Sequence, residues 1–133
     1  MLSKKKIRGF TLIELMVVIS LILILVSVAV PAYNQSIVRA RETVLRQNLF
    51  TLRSVISQYT LDKQKAPQSL DDLVQSHYIK QIPTDPMTSK NDTWAVDQED
   101  STLMSPDQQE GGINDVHSGS TAVSSDGTAY STW

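Results

Sequence analysis

The first half of the chain carries a long, nearly uncharged apolar run. Within residues 10–30, 15 of 21 side chains are Phe, Leu, Ile or Val, and the single charged residue is Glu14. As a helix this run spans about 31 Å, which matches the roughly 30 Å hydrocarbon core of a bilayer. The apolar side chains contribute about −6 kcal/mol towards insertion and Glu14 costs at most about 3 kcal/mol. We therefore predict a transmembrane helix.

Beyond Pro31 the apolar positions become periodic. They recur at steps of three and four residues, which places them on one stripe of a helix. The stripe consists of Ile37, Val38, Val44, Leu45, Leu49, Leu52, Val55, Ile56 and Tyr59. We predict one helix over residues 10–63, kinked at Pro31 because proline cannot donate a backbone hydrogen bond to Ser27. The charged residues in between, Glu42 among them, are predicted to fall largely off the stripe.

The remainder of the chain is predicted to form short elements joined by loops. Ser69 is a predicted N-cap, followed by two aspartates in the first turn of a short helix that ends near Ser76. The weak strand candidates are residues 92–96, 102–104 and 129–133. The predicted fold class is therefore α+β. A long N-terminal helix packs on a small C-terminal domain of short helix, loops and short antiparallel strands, which covers the apolar stripe.

Charge is distributed unevenly along the chain. Residues 1–90 carry all 12 Lys and Arg, whereas residues 91–133 carry eight of the 14 acidic residues and no Lys or Arg. The basic residues are not interleaved with aromatic ones, which argues against nucleic-acid binding. Four of them lie within residues 4–8 and are expected to stay cytoplasmic, which places everything after residue 30 outside the cytoplasm. The chain has no cysteine, so disulfides and thiol chemistry are excluded.

The junction between the basic leader and the apolar run has a specific sequence, which reads Lys6-Ile7-Arg8-Gly9-Phe10-Thr11-Leu12-Ile13-Glu14-Leu15. Gly9 has no side chain, so an extended backbone there can approach a protease closely. Cleavage after Gly9 would leave an amine on Phe10 and a carboxylate on Glu14, and neither charge is stable alone in hydrocarbon. The amine of one subunit would neutralise Glu14 of its neighbour and set the register of stacked helices.

This string resembles the prepilin cleavage and methylation site of type IV pilins and type II secretion pseudopilins. The resemblance implies that a prepilin peptidase cuts between Gly9 and Phe10, that the Phe10 amine is then methylated, and that Glu14 serves assembly. It divides the chain into a leader (1–9), a transmembrane and polymerisation helix (10–30) and an extracytoplasmic globular domain (31–133). A secretory signal peptide and a plain membrane anchor are the alternatives. An apolar run of 21 residues exceeds the roughly 7–15 of a signal peptide.

The globular part resembles the major pseudopilins of type II secretion, the general secretion pathway protein G group. The resemblance lies in residues 52–59, 66–73 and 82–86. These stretches give the order typical of that group: a helix ending in Tyr, a Pro-x-x-Leu-x-x-Leu helix and a Pro-x-Asp-Pro turn. The chain departs from the group at Met87-Thr88, where Trp-Gly is usual, and in the construction of its final acidic loop.

The resemblance implies a structural subunit of a secretion pseudopilus, not an enzyme, which polymerises through its N-terminal helix to drive exoprotein export. The implied partners are further copies of the chain, minor pseudopilins, the prepilin peptidase/methyltransferase and an inner-membrane assembly platform. The implied location is the bacterial inner membrane, crossed once, with the globular domain in the periplasm. Two other classes stay open: an extracellular type IV pilin, and a membrane-tethered binding domain that does not polymerise.

The acidic segment is a candidate calcium site. Relatives among the major pseudopilins bind one calcium ion in a C-terminal loop, and calcium takes six to eight oxygen ligands. By this resemblance the predicted ligands are Asp107, Asp115 and Asp126 with nearby loop carbonyls; a solvated acidic surface is the alternative. No other cofactor is expected. The two histidines, His77 and His117, have no two further ligands at short spacing, which argues against zinc.

Overall fold

The structure, a computed structural model, describes residues 3, 6–99 and 111–133. Helix α1 spans Leu12–Lys63 and includes Pro31. Its end confirms the predicted boundary, and Gln64 follows in a left-handed conformation (φ 57°) that is typical of helix C-termini. The helix starts two residues later than predicted because Thr11 caps it. A kink at Pro31 stays a prediction.

The chain divides into two compact units, Met1–Ile37 and Val38–Trp133. In the first unit every residue from 6 to 36 is exposed. The large apolar side chains between Leu12 and Val30 are 45–77% exposed. By length and composition α1 can cross a membrane, and none of its most apolar window is buried. An apolar surface of this extent is stable in lipid or against other apolar helices, not in water.

The second unit is built around the predicted stripe of α1. Leu45, Leu49 and Leu52 are fully or almost fully buried, as are Ile56 and Tyr59. The other buried members of the core are Leu73, Trp94, Ile113, Val116 and Tyr130. Burial of each leucine contributes about 1.5–3 kcal/mol, so packing holds this part of α1 in place. The stripe prediction is confirmed over residues 45–59, whereas of its earlier members Ile37 is half-buried and Val38 and Val44 are exposed.

A short helix, α2, spans Leu70–Gln75 and confirms the second predicted helix. Ser69 is its N-cap, as predicted, and its backbone N–H donates to the Asp72 carboxylate at 3.1 Å. This reciprocal bond satisfies a donor that the first helical turn would otherwise leave unpaired. The single buried residue of α2, Leu73, joins the core against α1.

Two short strands form an antiparallel pair, β1 (Ala95–Gln98) and β2 (Ile113–His117). Together with the helices they confirm the α+β class. Gly112, just before β2, lies so close to Pro67 that a Cβ there would stand 2.7 Å from the Pro67 carbonyl oxygen. The N–H of Ile113 donates to that same oxygen at 2.8 Å. These contacts attach β2 to the chain segment that follows α1.

The strand predictions were only partly correct. β1 overlaps the candidate 92–96 at two positions, and candidate 102–104 lies outside the described residues. The prediction of a strand over residues 129–133 was wrong, because Tyr130–Thr132 form a 3-10 turn that directs Tyr130 into the core. Strand β2 was missed because Asn114 and Asp115 are rare strand residues and suggested a loop.

Candidate functional sites at the N-terminal segment and the C-terminal loop

The predicted cleavage junction is accessible. Gly9 and Phe10 lie in non-helical chain before α1. Phe10 is 87% exposed, and nothing lies within 4 Å of the position that a Cβ on Gly9 would occupy. A peptidase can therefore reach this peptide bond without unfolding any helix. Cleavage and methylation at this junction stay predictions.

Glu14, the predicted assembly residue, is exposed in the first turn of α1. Its backbone N–H donates to the Thr11 hydroxyl at 3.2 Å, so Thr11 is the helix N-cap. An acidic residue three positions after a threonine cap is the capping-box spacing, and its charge favours the helix N-terminus. Glu14 therefore has a local role beside the predicted one. The sequence analysis missed Thr11, although the Thr-x-x-Glu spacing was the available signal.

The polar side chains within the apolar part of α1 are satisfied locally. The hydroxyls of Ser20 and Ser27 donate to the carbonyls of Met16 and Ile24, each at 2.7 Å. Hydrocarbon offers no water to pair with a hydroxyl, so such internal bonds are what a membrane segment needs. Glu14 is the charged residue of this apolar run, and its carboxylate needs a partner in lipid.

At the other end of the chain, a buried carboxylate attaches the last loop to α1. Glu42 is only 7% exposed. It accepts hydrogen bonds from the Ser125 N–H and hydroxyl, both at 2.7 Å, and from the Tyr130 hydroxyl at 2.9 Å. Burial alone would raise the pKa of Glu42, but these hydrogen bonds outweigh it and hold that pKa below its ordinary value of 4.5. We call Glu42, Ser125 and Tyr130 the Glu42 cluster.

The Glu42 cluster corrects one sequence prediction. Glu42 was among the charged residues predicted to fall largely off the stripe, but it lies on the buried stripe, one turn before Leu45 and two turns before Leu49. The three- and four-residue spacing that defined the stripe includes this position as well. The charge of Glu42 was the misleading signal, because a buried carboxylate is rare unless it is hydrogen-bonded.

Asp126, a predicted calcium ligand, closes its own turn. It accepts hydrogen bonds from the hydroxyls of Ser124 and Thr128, and from the Thr128 N–H at 3.1 Å. These bonds lower the pKa of Asp126 to about 2. Arg46 of α1 lies 3.9 Å away, and its guanidinium stacks 4.4 Å above the Trp133 ring.

Asp115, a second predicted calcium ligand, has different neighbours. Its Oδ1 accepts a hydrogen bond from Arg53 Nε at 2.6 Å, and its Oδ2 lies 3.5 Å from His117 Nε2. Burial acts to raise the pKa of Asp115, but the hydrogen bond and charge of Arg53 outweigh it and hold that pKa below its usual 3.8. His117 also contacts Asp97 of β1 at 3.0 Å.

The predicted calcium ligands do not form one site in the described part of the chain. Asp115 is grouped with Asp97 and His117, whereas Asp126 is bound by its own turn and is not part of that group. The third predicted ligand, Asp107, lies outside the described residues. Calcium prefers oxygen ligands, so a neighbouring histidine and a tightly paired guanidinium also argue against a calcium ion at this position. Calcium binding therefore stays a prediction.

Comparison with known proteins adds two kinds of similarity. Residues 4–30 match a family described as the prokaryotic N-terminal methylation motif. The chain is 32% identical to the type II secretion system core protein G of Klebsiella michiganensis over 132 residues, which covers 87% of this chain and 85% of that protein. It is also 32% identical to the Escherichia coli core protein G over 102 residues, covering 65% of this chain and 70% of that protein.

The similarity to pilins is confined to a shorter region. The chain is 38% identical to the type IV major fimbrial protein FimA of Dichelobacter nodosus over 61 residues. This alignment covers 46% of the chain and only 38% of the length of the fimbrial protein. No solved structure matches the chain.

Proposed function

Because the chain belongs to the type II secretion system core protein G family, the pseudopilins of the type IV pilin-like superfamily, we propose that it is a structural subunit of a type II secretion pseudopilus. The observation that supports this most is the alignment with the Klebsiella michiganensis protein over 87% of the chain. Because it covers 87% of the chain, that alignment includes most of the globular part. The pilin similarities cover less than half of the chain.

The proposed subunit works by polymerisation. After removal of the leader, α1 presents an apolar surface that is exposed from its first turn to residue 30, and neighbouring subunits would cover it. Glu14 and the Phe10 amine of an adjacent subunit would pair within the membrane, because each charge lacks water there. Growth of the filament then pushes exoproteins outward. The subunit itself catalyses nothing, and a separate cytoplasmic ATPase supplies the energy.

The proposal also assigns location and partners. The mature subunit is anchored once in the bacterial inner membrane, with its globular domain in the periplasm. Its partners are other copies of the chain, minor pseudopilins, the inner-membrane assembly platform and the prepilin peptidase/methyltransferase. Support for this orientation comes from the four basic residues within residues 4–8, which precede the apolar run.

Deleting the gene for this chain tests the proposed function against its first rival, a type IV pilin. We expect exoproteins to accumulate in the periplasm, while surface pili and twitching motility are unchanged. Immunoblots of periplasmic and culture-medium fractions measure the first effect, and a plasmid-borne copy should restore export. Loss of surface pili with normal export would instead identify a pilin. Normal export and normal pili would favour the third class, a tethered domain that does not polymerise.

Processing gives a second prediction. The mature chain should consist of residues 10–133 with one methyl group on the Phe10 amine, as measured by intact-mass spectrometry of membrane-extracted protein. Gly9→Val should retain the leader and leave the fold unchanged, because nothing lies within 4 Å of a Cβ at this position. Ile7→Val, also in the leader, is the matched control and should be processed normally. A mature chain that starts near Ala32 would contradict the prediction.

Calcium binding is a further proposal, which rests on composition and on the family resemblance. Its ligands would include Asp107, Asp115 and Asp126, within a segment that carries eight acidic residues and no basic one. Binding would require Asp126 to exchange hydroxyl partners for the ion. A calcium-dependent rise in melting temperature that Asp126→Ala removes would support the proposal.

A further inference from the structure

The β1–β2 pair carries three metal-binding side chains on one face. Asp97 lies directly opposite Asp115 in the antiparallel register, and His117 follows Asp115 by two residues. Side chains two apart on a strand point to the same face. Two carboxylates directly opposite each other repel, so this arrangement is unfavourable unless positive charge lies between or beside them. We call Asp97, Asp115 and His117 the hairpin triad.

The distances within the hairpin triad fit a small metal ion. His117 Nε2 lies 3.0 Å from Asp97 Oδ2 and 3.5 Å from Asp115 Oδ2, and one ligand atom of each residue lies within 4.8 Å of the other two. In a tetrahedral zinc site, ligand atoms about 2.0–2.1 Å from the ion stand about 3.3 Å apart. Two of the three edges are therefore already near that length. The exposed Asp97 can close the third by a side-chain rotation.

The neighbours of the hairpin triad orient its ligand atoms. His117 Nδ1 lies 2.7 Å from the Trp133 backbone oxygen, which can only accept a hydrogen bond. In the tautomer with its proton on Nδ1, the ring donates to this oxygen, and Nε2 directs its lone pair at the two carboxylates. Arg53 Nε holds Asp115 Oδ1 at 2.6 Å, so Oδ2 is the oxygen left to face His117. Histidine ligands in metal sites are oriented in this way by a carbonyl on the other ring nitrogen.

We propose that Asp97, Asp115 and His117 bind a divalent transition-metal ion of the zinc class, with water as its fourth ligand. One imidazole nitrogen and two carboxylates suit zinc, whereas calcium and magnesium prefer oxygen alone. With neutral His117, the two aspartates and Arg53 sum to −1, so a divalent cation meets a net negative site. The rival state is a metal-free ion pair in which doubly protonated His117 donates to Asp97.

This proposal does not depend on the secretion function, and it differs from the sequence argument against zinc. That argument considered only ligands that are close together in the sequence, and within that range Asp115 and His117 have no third ligand. Asp97 is 18 positions before Asp115 and joins them only through strand pairing. The bound ion would link β1 to β2 and, through Arg53 and the Trp133 oxygen, to α1 and the last residue of the sequence.

Metal titration of the full chain, purified in detergent and stripped with a chelator, tests the proposal. Calorimetry with ZnCl2 should show one site of micromolar affinity or better, and zinc should raise the melting temperature in proportion to its saturation. Co2+ should bind at the same site with the visible absorption of a tetrahedral complex. Asp97→Asn and His117→Ala should each weaken binding at least about 100-fold, since even partners outside the ligand set contribute 10–100-fold.

Two control variants match these substitutions. Asp92→Asn changes an exposed aspartate just before β1, and His77→Asn changes the other histidine, whose left-handed φ of 63° asparagine tolerates. Both should bind zinc like the unchanged chain. Because Asp97 is exposed, Asp97→Asn should keep the fold even if His117→Ala does not. Absence of zinc binding at about 100 µM free metal, or equal binding by Asp97→Asn, would overturn the proposal, as would a Ca2+ response that requires His117.

Discussion

Glu14→Ala should abolish multimers of the chain in membranes and stop export, while insertion and folding stay normal. A carboxylate in the membrane costs up to about 3 kcal/mol, so the substitution eases insertion and removes the charge that the proposed pairing with Phe10 needs. Helix α1 should start as before, because the Thr11 hydroxyl caps the backbone N–H of residue 14, whatever its side chain. Chemical crosslinking of membranes, with exoprotein immunoblots alongside, measures both effects.

Two variants separate the charge of Glu14 from its place in the helix. Glu14→Gln keeps the size and removes the charge, so it should fail like Glu14→Ala. Thr11→Ala removes the cap and should cost about 1 kcal/mol of local helix stability without loss of multimers. If Thr11→Ala loses multimers to the same extent as Glu14→Ala, Glu14 acts through the first turn of the helix. Multimers and export at normal levels in Glu14→Ala would contradict the pairing with Phe10.

Glu42→Ala should lower the free energy of unfolding of the second unit by about 2–4 kcal/mol. The substitution removes the acceptor of three hydrogen bonds and leaves the Tyr130 hydroxyl without this partner in a buried place, whereas Ser125 is exposed. Urea denaturation of the full chain in detergent measures the change through tryptophan fluorescence. Trp133 is a suitable reporter because its ring packs on Tyr130 at 5.1 Å between centroids. The exposed Glu99→Ala is the matched control and should change stability little.

The Glu42 cluster also predicts how stability depends on pH. The pKa of Glu42 in the folded chain lies below its ordinary value of 4.5. Its contribution is therefore complete above about pH 4.5 and is lost as the pH falls through the lowered pKa. Glu42→Gln should flatten the stability profile in this range. Asp115 and Asp126, whose pKa values are also lowered, account for further loss at more acidic pH, towards about 2 for Asp126. An unchanged acid profile in Glu42→Gln would contradict the assignment.

Local patterns were sufficient to predict the helical part of the fold. The end of α1 at Lys63, the cap of α2 at Ser69 and the buried stripe over residues 45–59 all follow from side chains within one or two helical turns of each other. The N-terminal processing motif is equally local. The structure places the Gly9–Phe10 junction in exposed chain before the helix, and the start of α1 at Leu12 depends on a cap that the sequence prediction overlooked.

Features that depend on distant residues could not be predicted in this way. Glu42 is buried because Ser125 and Tyr130, 83 and 88 positions later, supply donors that a lone carboxylate would lack. Strand β2 contains polar residues that favour loops, and it forms because Ile113 and Val116 reach the core. The hairpin triad exists only once β1 and β2 pair. Nothing in the local sequence around Asp97 indicates its neighbours.

The same long-range contacts can form only late in the synthesis of the chain. The apolar stripe of α1 leaves the ribosome well before β2 and the residues after it, which supply much of its cover. At about 5–20 residues per second, the 54 positions from Tyr59 to Ile113 take several seconds to translate. During that interval the nascent chain carries an inserted or insertable N-terminal helix followed by an uncovered apolar surface. The globular unit can therefore complete its core only after β2 and the residues that follow it have been made.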